Sequence, residues 1–236
     1  MEFRISDQVF EYFPNFCVAV VAADGLDNTH LHSEIMTLLQ TSVNLGHEAI
    51  KDTDIREHSH IKVWRDAFEK LSMNPNRFPS SIEALAKRVA KKPDLPVINN
   101  IVNLTNAMAV RYWVPMGSHD MDRIAGNIEI RFTGPAEPFT PFGSSEAEIV
   151  EEGELVYADD QEVRTRKWVW RQGEHGKVDD CTRRVFFPID GFEGITADAV
   201  RSAQHHLETL LKEYFPQAMI RTGWVDRNNK VMTISE

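Results

Sequence analysis

The chain is poor in cysteine: only Cys17 and Cys181 occur in 236 residues. Neither lies in a CxxC or Cys/His ligand spacing, so neither a disulfide framework nor a thiolate metal centre can be the basis of the fold. Reduced thiols in a cytoplasmic setting are expected. Long apolar runs are also missing. The longest, Phe16 to Ala23, is far too short to span a bilayer, and the opening MEFRISDQVFEYF carries charges where an export signal needs an apolar core. No membrane or export route is expected. There is no GxxxxGK[ST] loop, no GxGxxG after a strand and no GxSxG elbow. Nucleotide hydrolysis, dinucleotide binding and the hydrolase nucleophile therefore lack their usual support. Positive charge is in deficit as well. With a formal net charge of −10, the protein cannot hold nucleic acid by bulk electrostatics, so any RNA contact must be local.

What is present is enough apolar material for a core. At 42% hydrophobic composition the chain buries a substantial interior without staples, and with no repeat or linker it reads as one unit over 1–236. PNFCVAVVAADGL reads as a buried strand closed by Asp24-Gly25. A helix is expected from Thr29 to Leu45, capped by Asn28 or Thr29 and stopped by Gly46. Further helices are expected in IKVWRDAFEKLSM, in SSIEALAKRVAKK with a Ser cap, and in INNIVNLTNAMAVRYWV. The asparagines of the last weaken helix propensity and imply specific hydrogen bonding. After Pro115 the texture turns to β: IEIRF, ELVYA, VRTRKWVWR and RRVFFPI read as strands, with Trp168 and Trp170 on one strand face. ITADAVRSAQHHLETLLKEYF is a long amphipathic helix, followed by a short strand in QAMIRTGWV. Helices, then strands, then a helix give an α+β class.

Cations cluster locally. Residues 61–100 hold eight against four acids, and residues 161–184 hold seven against four. Charge alone does not separate solvated faces from an RNA contact. Histidines cluster in HLHSE, HSH and HH. His30 and Glu34 share a helix face but supply two ligands only, so no metal site and no cofactor is expected. Ser118-His119-Asp120 contains triad residue types, yet consecutive neighbours cannot form the spatial relay of a triad.

Read together, NIVNLTNAMAVRYWVPMGSHDMDRI, ELVYADD and QGEHGKVDDCT resemble the B3/B4 domain of the β subunit of bacterial phenylalanyl-tRNA synthetase, and most closely the freestanding B3/B4 proteins. The pattern also takes in Trp64-Arg65, Asn74-Pro75, Pro79 to Glu83, Leu95-Pro96 and Arg166 to Gln172, so its landmarks cover 61–190. The resemblance implies an α+β fold with mixed β-structure packed by helices around a small pocket. It also implies an editing activity, the hydrolysis, without metal or covalent intermediate, of the ester that links a wrong amino acid to a tRNA, here in trans. Residue by residue, Thr105-Asn106 matches the family's TN pair lining the pocket, and Glu174 falls on the glutamate that contacts the amino-acid side chain. The histidine of the family's PLHAFD falls at Gly117 in PMGSHD.

An aminoacyl ester is already activated, so its hydrolysis mainly needs a positioned water and donors to the developing oxyanion. The candidate catalytic residues are Asn106, His119 and His175, with either histidine able to act as a weak base through water. Thr105, Gly117 and Glu174 are the candidate substrate contacts. Arg111, Arg166, Trp168 and Arg171 are the candidate contacts to the aminoacylated 3′ end of tRNA, where Trp flanked by Arg can stack a base. Two other readings stay open: a non-catalytic tRNA- or amino-acid-binding module, and a small-molecule ester or amide hydrolase using the same pocket.

Overall fold

A computed structural model describes residues 1–235. The chain opens with β1 (Glu2–Ile5) and α1 (Asp7–Tyr12), then enters β2 (Phe16–Asp24), in which eight consecutive residues are buried. Helices α2 (Ser33–Ile50), α3 (Ser59–Lys70), α4 (Ser81–Lys91) and α5 (Asn100–Tyr112) follow. The β-rich stretch holds β3 (His119–Asp120), β4 (Ile128–Phe132), β5 (Pro138–Phe139), β6 (Glu148–Ile149), β7 (Leu155–Ala158), β8 (Val163–Arg166), β9 (Arg171–Gln172) and β10 (Arg184–Phe192). Helix α6 (Ala197–Tyr214) and strands β11 (Met219–Val225) and β12 (Val231–Thr233) complete an α+β fold.

Two larger sheets organise it. One runs β12-β1-β4-β7-β8-β9 and is mixed, because β1 pairs parallel with β4; the other runs β11-β2-β10-β3 and is antiparallel. Both β2 and β10 are buried on both faces along nearly their whole length, which is why they read as continuous apolar runs rather than alternating ones. Between helices and sheets sits an aromatic cluster of Phe13, Phe16, Trp64, Trp168 and Phe192, with ring centroids 4.7–6.4 Å apart. Removing one such buried tryptophan costs about 3–5 kcal/mol.

The asparagines around α5 do the bonding their number implies. Asn99 Oδ1 caps the helix by accepting from Val102 N at 3.0 Å, Asn100 Oδ1 accepts from His32 N at 2.9 Å, and Asn103 Oδ1 accepts from Ile98 N at 3.0 Å. Asn28 belongs to this set too. Its Oδ1 accepts from Ile101 N, so it serves α5 and not α2, whose cap position is His32. Nor does Gly46 end α2. It is buried inside the helix, where an added Cβ would stand 2.6 Å from Val110 Cγ1, so the glycine allows α2 and α5 to approach closely.

The most consequential departure is at 166–171. A continuous strand does not form there: β8 ends at Arg166, Lys167 and Trp168 both have positive φ (46° and 62°), and β9 begins at Arg171. No glycine marks this corner. It turns because Trp168 is drawn fully into the aromatic cluster, and because Glu154 accepts hydrogen bonds from the Lys167 N–H and from the Arg166 guanidinium. Trp170 consequently lies apart from Trp168, edge-on to Phe78 at 4.9 Å.

Candidate functional site

The corner and strand β10 enclose a pocket of about 100 Å³. Its back wall is Tyr157 of β7 and Pro188 and Asp190 of β10. One side is Pro115 to Gly117, and the other is Thr165 and Trp168 to Gln172. The 115–117 segment is fastened to β10 by hydrogen bonds from Asp190 N to Pro115 O and from Gly117 N to Pro188 O, each 3.0 Å. The Gly117 amide is thereby spent on structure, which removes it as an oxyanion donor.

His119 is 2% exposed and its ring stacks on Tyr157, with centroids 6.0 Å apart and planes 23° apart. Burial, reinforced by the Arg164 guanidinium, lowers its pKa to about 4, so the imidazole is neutral at physiological pH. Its Nδ1 meets a fixed side-chain amide. Gln172 Nε2 donates to Ser118 O at 2.9 Å and Gly176 O at 3.2 Å, which fixes the amide nitrogen toward this side, and it lies 3.3 Å from His119 Nδ1. The two carbonyls take both hydrogens of that amide nitrogen, so it meets Nδ1 with none to spare for it. That Nε2 faces Gly117: a Cβ built there would be 3.3 Å away. His119, two residues after Gly117, thus places its ring directly against that glycine. Its ring also lines the pocket.

Asp190, 2% exposed, also lines the pocket. Its Oδ1 accepts from the Tyr157 hydroxyl at 2.6 Å. Burial raises its pKa to about 7 against the lowering effect of that hydrogen bond. Sequence reasoning misses this residue. A signal is available, since Asp190 is the one charged side chain inside the apolar run VFFPIDGF.

The other expected residues fall elsewhere. Thr105 is buried in α5 with its hydroxyl donating to Ile101 O at 2.9 Å, and neither it nor the half-buried Asn106 lines the pocket. Glu174 and His175 line a separate, open recess with Glu162, Arg164 and Lys177. There Glu174 accepts from Gly143 N at 2.8 Å and pairs with Lys177; this pairing, then the Gly143 bond, holds its pKa low. His175 Nδ1 sits 2.9 Å from Glu162. The threonine, carboxamide and glutamate expected to converge are therefore not brought together. Of the expected RNA contacts, Arg111 is exposed at the end of α5, and Arg166 is engaged by Glu154 and Glu148. Trp168 is core. Only Arg171 is exposed at the pocket, its guanidinium 6.0 Å from the Trp170 ring. Trp170 and Arg171 also line a groove of about 830 Å³ whose other walls include Arg77, Phe78, Lys167, Glu151 and Glu152.

The B3/4 domain matches residues 63–222, a span that includes every residue of the pocket. The chain belongs to the B3/4 domain family. Among curated proteins, the phenylalanine–tRNA ligase β subunit of Fusobacterium nucleatum is 30% identical over 138 residues, covering 58% of this chain and 16% of that subunit. The β subunit of Geobacillus kaustophilus is 26% identical over 189 residues, covering 77% and 23%. The chain thus spans less than a quarter of the curated relatives it matches. Among solved structures, an N-terminal fragment of the phenylalanyl-tRNA synthetase β-subunit from Pyrococcus horikoshii covers 93% of this chain and 50% of that one, at 14% identity and a TM-score of 0.46. No described helix of this B3/4 protein is long and apolar enough to cross a membrane, and the described residues bring together no cluster of metal-ligating side chains.

Proposed function

We propose that this B3/4 protein, taken as one unit over 1–236, is a trans-editing deacylase that hydrolyses the ester of a mischarged aminoacyl-tRNA in the cytoplasm. The observation that carries the reading is the placement of His119: a buried, neutral imidazole that lines the pocket with its Nε2 against Gly117. In its Nε2–H form this imidazole supplies the donor that a developing ester oxyanion needs, and one such donor is worth about 100- to 1000-fold in rate. No nucleophilic side chain is required, because the ester is activated and a water can attack it directly. The roles expected of Thr105 and Asn106 pass to the support of α5, and those of Glu174 and His175 to the neighbouring recess.

The groove beyond Trp170 and Arg171 receives the terminal nucleoside. Trp170 and Phe78 offer aromatic surface for a base, and Arg77 and Arg171 offer charge to one or two phosphates. Glu151 and Glu152 on the opposite wall, with the net charge of −10, rule against a long phosphate track. Only the 3′ end is held.

The test is a deacylation panel of tRNAs charged with cognate and mismatched amino acids, run with the wild type and with His119→Phe, which keeps a ring against Tyr157 but deletes the donor. Turnover by the wild type, lowered about 100-fold in the variant, is the expected result. Tight tRNA binding with no turnover of any charged tRNA favours the binding-module reading instead, to which Gly117 in place of the family histidine lends its support. Hydrolysis of free esters that tRNA does not accelerate favours a small-molecule hydrolase.

A further inference from the structure

The described residues contain five buried carboxylates: Glu83, Asp120, Glu154, Asp159 and Asp190. Four are matched by cations. Glu83 lies 2.8 Å from Arg65 and 2.6 Å from Lys87, Asp120 lies 3.4 Å from Arg123, Glu154 holds Arg166 and Lys167, and Asp159 holds Arg164. Asp190 is the exception. Its side-chain partner is the neutral Tyr157 hydroxyl, and no cation among the described residues pairs with it. Burying a carboxylate without a counter-charge is costly, and proteins resolve the cost by neutralising the group or by supplying a cation. Here the missing cation has a place to sit, because Asp190 forms part of the pocket wall.

We infer that Asp190, oriented by Tyr157, is the receptor for a ligand ammonium group, and that the pocket takes a compact α-amino acyl moiety. This rests on the deacylase reading for its ester but not for its ammonium. In an aminoacyl ester the α-ammonium is attached to the carbon next to the carbonyl. An ammonium against Asp190 therefore leaves the carbonyl within the same small pocket that His119 lines. Size agrees with a compact group: an apolar cavity of about 150 Å³ is filled by a benzene, and this pocket offers about 100 Å³. A hard metal cation fits poorly, since Asp190 is the single carboxylate among the lining residues and such ions take six or more oxygens. The role of ammonium receptor thereby falls to Asp190 and not to Glu174, whose charge is already answered by Lys177.

Calorimetry with non-hydrolysable analogues tests this. The probes are 3′-alanylamido-3′-deoxyadenosine, its N-acetyl derivative, and the lactoylamido counterpart, in which a hydroxyl replaces the amine. The wild type is expected to bind the free amine at least about tenfold more tightly than either other probe, as a charge-assisted hydrogen bond gives. Asp190→Asn is expected to bring the amine and the lactoylamide to one affinity while leaving lactoylamide binding within about twofold. Equal affinity of the wild type for all three probes overturns the inference. So does failure to bind any of them at millimolar concentration, and so does a folded Asp190→Asn that still prefers the amine. The wild-type comparison decides alone if the variant does not fold. A parallel arm measures turnover of alanyl-tRNA and lactoyl-tRNA. Amine-dependent binding without turnover removes the deacylase and keeps this receptor, whereas equal turnover of both esters keeps the deacylase and removes the receptor.

Discussion

Two recesses lie side by side in this protein, and they differ in how far their polar groups are already satisfied. In the open one, each charged side chain has a close partner: Glu174 with Lys177, His175 with Glu162, and Arg164 with Glu162 and Asp159. In the smaller one, the neutral His119 imidazole and Asp190 line the cavity, and the side-chain partner of Asp190 is the uncharged Tyr157 hydroxyl. The more charged recess is electrostatically complete. The other leaves a buried carboxyl without a cation, and the proposed ligand chemistry is placed there.

That contrast can be broken in graded steps. The largest effect is expected from His119→Phe, about 100-fold or more in kcat/KM, set against a change of about threefold or less for Glu174→Ala, whose loss disturbs a half-buried ion pair of the other recess. Single-turnover deacylation on matched tRNA reads both, and equal losses would erase the distinction between the recesses. Next comes Gly117→Ala. Its Cβ would press on His119 Nε2 and Pro188 Cγ, both 3.3 Å away, so a loss of about tenfold in kcat with a smaller change in KM is expected for a misplaced donor. A smaller effect follows from Arg171→Ala, with KM for charged tRNA raised about fivefold at physiological salt. The slope of log affinity against log salt should fall by about one, as for a single phosphate contact. Arg166→Ala should leave that slope unchanged, because Glu154 and Glu148 already hold the guanidinium.

The subtlest difference is in pH dependence of stability. His119 has a folded pKa of about 4, below its unfolded value near 6.5. The unfolded chain therefore binds more protons between those values, and His119 makes the protein more stable as pH rises from 4 to 6.5. Asp190 has a folded pKa of about 7, above its unfolded value near 3.9. The native state then holds the extra proton, and Asp190 makes the protein less stable as pH rises from 4 to 7. The two oppose each other in the wild type. In Asp190→Asn only the histidine contribution remains, so the melting temperature of the variant relative to the wild type should climb steadily from pH 4 to pH 7. A flat difference would mean that Asp190 titrates normally.

Much of this fold is legible in the amino-acid pattern. The buried runs of β2 and β10 and the spaced apolar faces of α3, α4 and α6 lie where periodicity places them, because each buries a continuous face against neighbours close in space. Strands β1 and β12 give no such signal. Each is only four or three residues long, and their mutual pairing spans almost the entire chain, so no local pattern announces them. The corner at Lys167 and Trp168 is hidden for a different reason: β-branched and aromatic residues signal strand, and here a tertiary demand for the indole overrides that signal. The site is legible in part. The PMGSHD segment and Arg171 point to it, but Thr105 satisfies its hydroxyl within its own helix, Glu174 finds its partners in the next recess, and Asp190 hides within a strand that looks purely structural.

The left-handed corner at 167–168 has one more implication. Because the lip of the cavity hangs from an indole wedged among Phe13, Phe16, Trp64 and Phe192, the shape of the entrance is governed from behind. A conservative swap among those hidden rings would therefore reshape the opening while every residue of the visible rim stayed the same.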